Sequence, residues 1–112
     1  MKKVECIIRA SKLEDVVQAV EELGITGMNV THIAGYGKQK GITEIDLDEN
    51  HEVELKKKLK MEMVVEDDMV EKLIEIVSEA GRTNEVGDGK IFVYTIEKIS
   101  KIRTGERGEK AI

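Results

Sequence analysis

KVECIIRASKLEDVVQAVEELG, residues 3–24, aligns without a gap on KMEMVVEDDMVEKLIEIVSEAG, residues 60–81. Internal similarity at a fixed spacing indicates that a structural unit has been duplicated. The identical positions of the two copies are Lys3/Lys60, Glu5/Glu62, Glu14/Glu71, Val20/Val77, Glu22/Glu79 and Gly24/Gly81. The remaining apolar positions mostly coincide, so both copies are expected to form the same structure.

Each copy begins with a strand pattern and continues with a helix pattern. Apolar residues alternate at Leu59, Met61, Met63 and Val65, which places them on one face of a strand. The residues that follow form an apolar stripe at helical spacing. The stripe consists of Met69, Val70, Leu73, Ile74 and Val77 in the second copy and of Leu13, Val16, Val17 and Val20 in the first.

Local signals predict where both helices begin and end. Ser11 with Glu14, and Asp68 with Glu71, have the spacing of a capping box, in which side chains satisfy free backbone donors. Gly24 and Gly81 follow the apolar stripes as candidate left-handed caps. Further strands are predicted over Met28 to Tyr36 and Lys90 to Glu97, which completes the order βαβ-βαβ.

This order predicts an α+β fold of the ferredoxin-like type in a single domain over residues 1–112. Two right-handed βαβ units form a four-stranded antiparallel sheet with both helices on one face. The other face is uncovered, and alternation assigns Ile7, Phe92 and Ile96 to it. We expect self-association to cover these apolar residues.

Composition narrows the class of partner. A net charge of -5 and the small aromatic set of Tyr36, Phe92 and Tyr94 disfavour nucleic acid and favour small ligands. Cys6 has no partner for an internal disulfide and lies in an apolar run, so we interpret it as a buried structural thiol. No apolar stretch approaches the length of a membrane span, which makes the cytoplasm the expected location.

Two glycine-rich segments could hold an anion: GYGKQKG, residues 35–41, and GDGK, residues 87–90. Glycines let backbone amides approach phosphate groups, and the adjacent lysines add charge. Lys101 and Arg103 would lie on one side of an extended chain and extend this site. The alternatives are structural glycine turns and a solvated basic edge.

A long charged insertion, residues 37–58, interrupts the repeat. Loops of this length are usually functional or disordered. Asp46, Asp48 and Asn50 resemble the start of a calcium loop, but His51 stands where that loop needs glycine. The insertion ends in the lysine run at residues 56–58. No spacing nominates a catalytic set, so we expect a protein that is not an enzyme.

The motifs taken together resemble the PII nitrogen-regulatory signal-transduction family over all 112 residues. They are KL at 12–13, GITGMNVT at 24–31, GYGKQKG at 35–41, TE at 43–44, RTNEVGDGKIFV at 82–93 and IRTGE at 102–106.

The resemblance implies a homotrimer with ATP or ADP bound in the clefts between subunits. It implies a long arm, the T-loop, at about 37–55, a B-loop at about 82–90 and a C-terminal loop at about 98–112. The nucleotide-binding residues that it implies are Gly27, Met28, Asn29, Gly35, Gly37, Lys38, Gln39, Lys40, Glu62, Val64, Gly87, Asp88, Gly89, Lys90, Lys101 and Arg103. Of these, Glu62 and Val64 would line the adenosine side of the nucleotide together with Gly27, Met28 and Asn29.

The resemblance also implies 2-oxoglutarate as an effector that binds together with Mg-ATP. Gln39 would help to hold the magnesium, and Lys58 would pair with the distal carboxylate of the effector. The implied effector set is Gln39, Lys40, Gly41, Lys58 and Gly87. Because Gln39 and Lys58 lie at the two roots of the T-loop, ligand binding would order the base of the arm.

Through the T-loop, members of this family regulate nitrogen-metabolism targets, such as an enzyme, an ammonium transporter or a transcription regulator. The membrane would be reached only through a transporter. His51 replaces the tyrosine that many relatives uridylylate, and Glu49 replaces a serine modified in others, so we expect regulation by ligand alone. Leu47 replaces an arginine that enters the channel in relatives that bind an ammonium channel. Lys38 and Lys101 replace arginines of the nucleotide site, so the charge is kept but the two-pronged guanidinium hydrogen bonding is lost.

The alternative interpretation is a ferredoxin-like trimer of the copper-tolerance type, with a metal-responsive or structural role. Those proteins lack the GDGK and KIR elements at 87–90 and 101–103, and the sequence therefore disfavours it.

Overall fold

The computed structural model describes residues 1–36 and 55–112. Its strands and helices are β1 (Lys2–Arg9), α1 (Leu13–Glu22), β2 (Asn29–Gly35), β3 (Lys56–Val65), α2 (Val70–Gly81) and β4 (Lys90–Thr95). Short 3-10 turns at Ala10–Lys12 and Asp67–Met69 precede the two helices, and a third lies at Gly108–Ala111. This order confirms the duplicated strand–helix unit.

The four strands form one sheet in the order β2-β3-β1-β4, with every neighbouring pair antiparallel. This is the predicted ferredoxin-like arrangement. In the central pair, Glu5 lies directly opposite its repeat equivalent, Glu62. Like charges directly opposite each other destabilise a sheet. Here each carboxylate has its own partner, because Lys3 forms a 2.9 Å ion pair with Glu62 and the Tyr94 hydroxyl lies 3.4 Å from Glu5.

The hydrophobic core lies between the sheet and the two helices, and most of its members are those that the alternation and the helical stripes predict. The predicted stripe residues Leu13, Val17, Met69 and Ile74 are only partly buried against it. The buried side chains include Val4, Cys6 and Ile8 of β1, Leu59, Met61, Met63 and Val65 of β3, Val16 and Val20 of α1, and Val70, Leu73 and Val77 of α2. Burial raises the pKa of the Cys6 thiol to about 12, as expected of a structural cysteine.

The predicted capping boxes are wrong in both copies. No side chain caps the start of either helix, and neither Ser11 nor Asp68 occupies the cap position. Instead, the Leu13 amide donates to Ala10 and the Val70 amide donates to Asp67. In both copies a 3-10 turn therefore supplies the carbonyl oxygens that accept hydrogen bonds from backbone amides at the start of the helix, in place of a capping side chain.

The two helix-ending glycines differ. Gly24 has φ +95, and its amide and that of Ile25 donate to Glu21 and Val20, which is a Schellman cap as predicted. Gly81 is instead the buried last residue of α2, and Arg82 after it is extended. A β-carbon on Gly81 would lie 3.6 Å from Val16 of α1, an ordinary contact distance, so this glycine lies beside α1 with room for a methyl group.

Both helices cover one face of the sheet and leave the other open, as predicted. The register places Ile7, Phe92 and Tyr94 on the open face, where Phe92 is 42% exposed. Both edge strands are shorter than predicted. β2 does not include Met28 or Tyr36, and β4 ends at Thr95 and not at Glu97. Within residues 1–36 and 55–112, no helix is long and apolar enough to cross a membrane.

Candidate functional site

The loop between α2 and β4 is organised around the carboxylate of Asp88. The Thr83 and Asn84 amides donate to Asp88 at 2.8 and 2.9 Å, and the Thr83 hydroxyl donates to it as well. The Arg9 Nε donates at 3.0 Å. The Thr83 hydrogen bonds, followed by those from Arg9 and Asn84, hold the pKa of Asp88 well below its ordinary value.

Glycine is required twice in this loop. Gly87 and Gly89 have φ of +109 and +100, which side chains rarely adopt. A β-carbon on Gly89 would overlap the carbonyl oxygen of Ile7, because the loop enters β4 directly against β1. The sequence motif GDGK therefore encodes a backbone shape together with its carboxylate anchor.

Arg9 is a site residue that the sequence interpretation missed. It ends β1 and donates from Nε to Asp88 and from Nη2 to the Val86 carbonyl, the latter at 2.9 Å. These bonds attach the loop to the centre of the sheet. The sequence does show a cation, Arg9, at the end of an apolar strand, but nothing in the residue spacing identified Asp88 as its partner.

Lys58 and Gly87, two residues of the predicted effector set, meet in the structure. The Lys58 ammonium donates a hydrogen bond to the Gly87 carbonyl oxygen. Burial lowers the pKa of Lys58, and the nearby positive charge of Arg9 lowers it further. Gly35, at the end of β2, belongs to the predicted nucleotide-binding set and lies beside the same lysine. A β-carbon on Gly35 would lie 3.2 Å from the Lys58 side chain.

A basic groove of about 840 Å³ opens beside this cluster. Residues from the end of β1, the start of β3 and the Asp88 loop line it. They are Arg9, Ala10, Ser11, Lys56, Lys57, Lys58, Asn84, Glu85 and Val86. We refer to it below as the basic groove.

A second groove, of about 610 Å³, lies at the other end of β3. It brings together Gly27, Met28, Asn29, Glu62 and Val64, the residues predicted for the adenosine side. The ion pair with Lys3 lowers the pKa of Glu62 and keeps its carboxylate charged. The C-terminal residues Ala111 and Ile112 line the same groove.

Lys101 and Arg103 join neither groove within one subunit. The expectation of an extended chain here is wrong, because residues 102–104 form a turn closed by a 2.8 Å hydrogen bond from the Gly105 amide to the Lys101 carbonyl. The Lys101 ammonium lies 3.9 Å from Glu106.

Several predicted residues lie outside the described part of the chain. They are Gly37, Lys38, Gln39, Lys40 and Gly41 of the glycine-rich segment and Leu47, Glu49 and His51 of the arm. In the part that is described, no group of three or more His, Cys, Asp or Glu side chains could hold a metal ion.

Comparison with known proteins gives consistent results. The family model described as "Nitrogen regulatory protein P-II" matches residues 1–106. Proteins of that name from Pasteurella multocida and Rhodospirillum rubrum are each 48% identical over 112 residues, which cover all of both chains. "Nitrogen regulatory protein P-II 1" of Escherichia coli is 44% identical over the same length.

A solved structure has the same fold. The "Crystal Structure of Arabidopsis thaliana PII bound to citrate" matches with a TM-score of 0.83 and 40% sequence identity. The match covers 99% of this chain and 91% of that one.

Proposed function

The chain belongs to the nitrogen regulatory protein P-II family, and we propose on this premise that it is a non-enzymatic sensor of adenine nucleotide and 2-oxoglutarate. The observation that carries the proposal is the contact between Lys58 and Gly87, which are 29 positions apart in sequence. Both are expected effector ligands, and the fold brings them together. The family assignment takes the place of the copper-tolerance alternative.

The Lys58 contact suits recognition of a dicarboxylate. An ammonium group has three donors, so Lys58 can keep its bond to Gly87 while it binds a carboxylate. A charge-assisted bond of this kind is stronger than a neutral one, and partial burial of Lys58 strengthens it further. Lys58 is therefore proposed to hold the distal carboxylate of 2-oxoglutarate.

The nucleotide would bind through two separate sets of residues. The adenosine-side set, Gly27 to Asn29 with Glu62 and Val64, lines one groove, whereas the glycine loop with Lys58 lies at the other end of β3. Strand geometry separates Lys58 from Glu62 by about 13 Å. Lys101 and Arg103 line neither groove. A nucleotide bound between two subunits could contact one set from one subunit and these cations from its neighbour.

The remaining contributions to the proposed site come from the segment outside the described residues. Gln39 would hold a magnesium ion together with oxygens of ATP and 2-oxoglutarate, and Lys38, Lys40 and the glycines would contact the anionic groups. Magnesium would neutralise phosphate charge and fix the geometry of the 2-oxo-acid end. Asp88, Gly89 and Lys90 are proposed to present backbone and charge to the phosphates.

The open sheet face supports the proposed homotrimer. Phe92, Tyr94 and Ile7 form an apolar surface between charged neighbours there, and association with further copies would remove it from water. Light scattering coupled to size-exclusion chromatography is expected to give the mass of three chains. A monomer at micromolar concentration would contradict the trimer.

The output of the sensor is proposed to pass through the T-loop at about 37–55 to a nitrogen-metabolism protein, whether an enzyme, an ammonium transporter or a regulator. Lys58 is at one root of that arm and Gln39 at the other, so the same ligands that fill the site would order the arm. With His51 in place of the modified tyrosine, ligand occupancy alone would set the state of the arm.

Calorimetry on the full-length protein tests the effector mechanism. We expect 2-oxoglutarate to bind in the presence of Mg-ATP and not without it. Lys58→Gln is expected to abolish this binding, whereas Lys60→Gln, which removes the same charge two residues along β3, should retain it. Binding that needs no nucleotide, or equal loss in both variants, would contradict the mechanism.

A further inference from the structure

Another groove, of about 370 Å³, lies between α1 and α2 on the outer surface of the helix layer. We propose that this helix groove is a docking site for a basic amphipathic helix of a partner protein. None of its lining residues lines the basic groove or the groove of the adenosine-side residues. The proposal is therefore independent of the effector mechanism.

The apolar lining of the helix groove comes from matching positions of the repeat. These residues are Ala19 and Leu23 in the first copy and Ile76 and Ala80 in the second. The two members of each pair are four residues apart, so they lie on one side of their helix. All four side chains are only partly buried, and none belongs to the predicted core stripes. Each helix thus has a second apolar row beside the core, which is what packing against a further helix requires.

The charged side chains around the helix groove are mainly acidic. Every exposed charged residue of α1 is a carboxylate, and α2 has Lys72 as its single cation. The Lys72 ammonium already lies 3.7 Å from Glu75. Within residues 1–36 and 55–112, neither Glu22 nor Glu79, which line the groove, forms an ion pair. Residues 37–54 contain more carboxylates than lysines, so they add no surplus of cations.

The two groove carboxylates lie at helix ends that favour the opposite charge. Glu22 is in the last turn of α1 and Glu79 is in the last turn of α2, and neither turn has a basic residue. The C-terminal end of a helix has a partial negative charge, which destabilises a nearby carboxylate and stabilises a nearby cation. Lysine or arginine side chains of a docked helix would therefore be attracted both by the carboxylates and by the helix ends.

Charge selects among the possible occupants. A second copy would bring the same acidic helices against this surface, and like charges across an interface oppose association. Nucleic acid and anionic membranes are disfavoured for the same reason. A basic helix fits, because its apolar side chains would enter the groove while its cations reach Glu22 and Glu79. The helix layer lies on the opposite side of the sheet from the surface proposed to be covered in the homotrimer, so it would remain accessible.

The test is an NMR titration of the full-length protein at about 150 mM salt, without nucleotide or 2-oxoglutarate. The probe is a synthetic helical peptide of leucine and lysine with its leucines on one face. The controls are a leucine–glutamate peptide of the same pattern and a serine–lysine peptide of the same charge. We expect saturable amide shifts at Ala19, Leu23 and Ile76 with the leucine–lysine peptide and no saturable shift with either control.

Paired variants separate docking in the groove from general attraction to an acidic surface. Glu22→Gln combined with Glu79→Gln should weaken binding about fivefold, the loss expected for two exposed ion pairs. Glu14→Gln combined with Glu71→Gln is the matched control, because these exposed, repeat-equivalent glutamates do not line the groove. Ala19→Gln, which places a polar side chain in the groove, should weaken binding about tenfold. Circular dichroism confirms that the variants fold.

Each outcome decides the proposal. Shifts at the groove that weaken in the Glu22 and Glu79 pair, and not in the control pair, support it. Equal weakening in both pairs, equal binding of either control peptide, shifts centred on Phe92 of the open sheet face, or no saturable binding overturns it. Concentration-dependent shifts of the groove amides without peptide would identify a second copy as the occupant and would also overturn it. Because no Mg-ATP or 2-oxoglutarate is present, failure here is distinct from failure of the effector mechanism.

Discussion

Arg9 and Asp88, 79 positions apart in sequence, form a 3.0 Å ion pair that joins the end of β1 to the loop before β4. The same guanidinium donates to Val86. The Arg9 side chain thus attaches the proposed ligand-binding loop to β1, one of the two central strands, and Lys58 attaches it to β3, the other.

Arg9→Gln should loosen the loop without unfolding the domain. The variant removes the ion pair but leaves the hydrogen bonds from Thr83 and Asn84 to Asp88. Amide hydrogen exchange over residues 83–88 should become about tenfold faster, since local opening no longer breaks the Arg9 contacts. Lys12→Gln, which removes a 3.8 Å pair with Asp15, is the control. Unchanged protection in Arg9→Gln would mean that the Asp88 hydrogen bonds suffice.

Stability should fall in acid partly through Asp88. Its pKa is depressed in the folded state, so its contribution is fully present above the ordinary value of 3.8 and is lost as pH falls toward the folded value. Denaturant unfolding from neutral pH down to about pH 2 measures this. Asp88→Asn should be less stable at neutral pH and should lose less on acidification.

Glu62 and Asp67 also have lowered pKa values, from Lys3 and from the N-terminus respectively, so some acid sensitivity should remain in Asp88→Asn. A variant curve parallel to that of the wild type across the acid range would show that Asp88 is not linked to folding.

Gly24→Ala and Gly81→Ala should shift stability in opposite directions. Gly24 has φ +95, so alanine there should cost about 1 kcal/mol. Gly81 is helical, and its added methyl would make ordinary contact with Val16 and Ile8, so alanine should stabilise by about 0.5 kcal/mol. Thermal and denaturant unfolding of the pair measures both effects. Destabilisation by both would imply that the helix contact at Gly81 cannot accept a methyl group.

Gly89→Ala should be far more damaging than Gly24→Ala, although both glycines have positive φ. Open space surrounds Gly24, whereas a β-carbon on Gly89 would collide with the Ile7 backbone. Relief requires movement of β4 away from β1 at the Ile7–Lys90 pair. We expect a loss of more than about 3 kcal/mol, measured by urea unfolding. A loss equal to that of Gly24→Ala would show that the loop can shift without cost.

Much of the fold could be predicted because the relevant signals are local. Alternation at Leu59 to Val65 and the stripe from Met69 to Val77 assign each residue to a face, and the repeat fixes the order of elements. The cap signals were less informative. A capping box and a short 3-10 turn satisfy the same backbone donors, and the sequence at Ser11 and Asp68 did not distinguish the two.

By itself, the sequence determined the duplicated unit, the buried face of each strand and helix, and the residues expected in the site, since side-chain periodicity and motif identity are properties of the chain. Only the tertiary structure decided that Lys58 bonds to Gly87, that Arg9 holds Asp88, and that Gly81 is the buried last residue of α2 beside Val16 and not a left-handed cap. These are contacts between residues far apart in sequence, and they arise because antiparallel pairing of β3 and β4 with β1 brings the strand ends and their loops to one place.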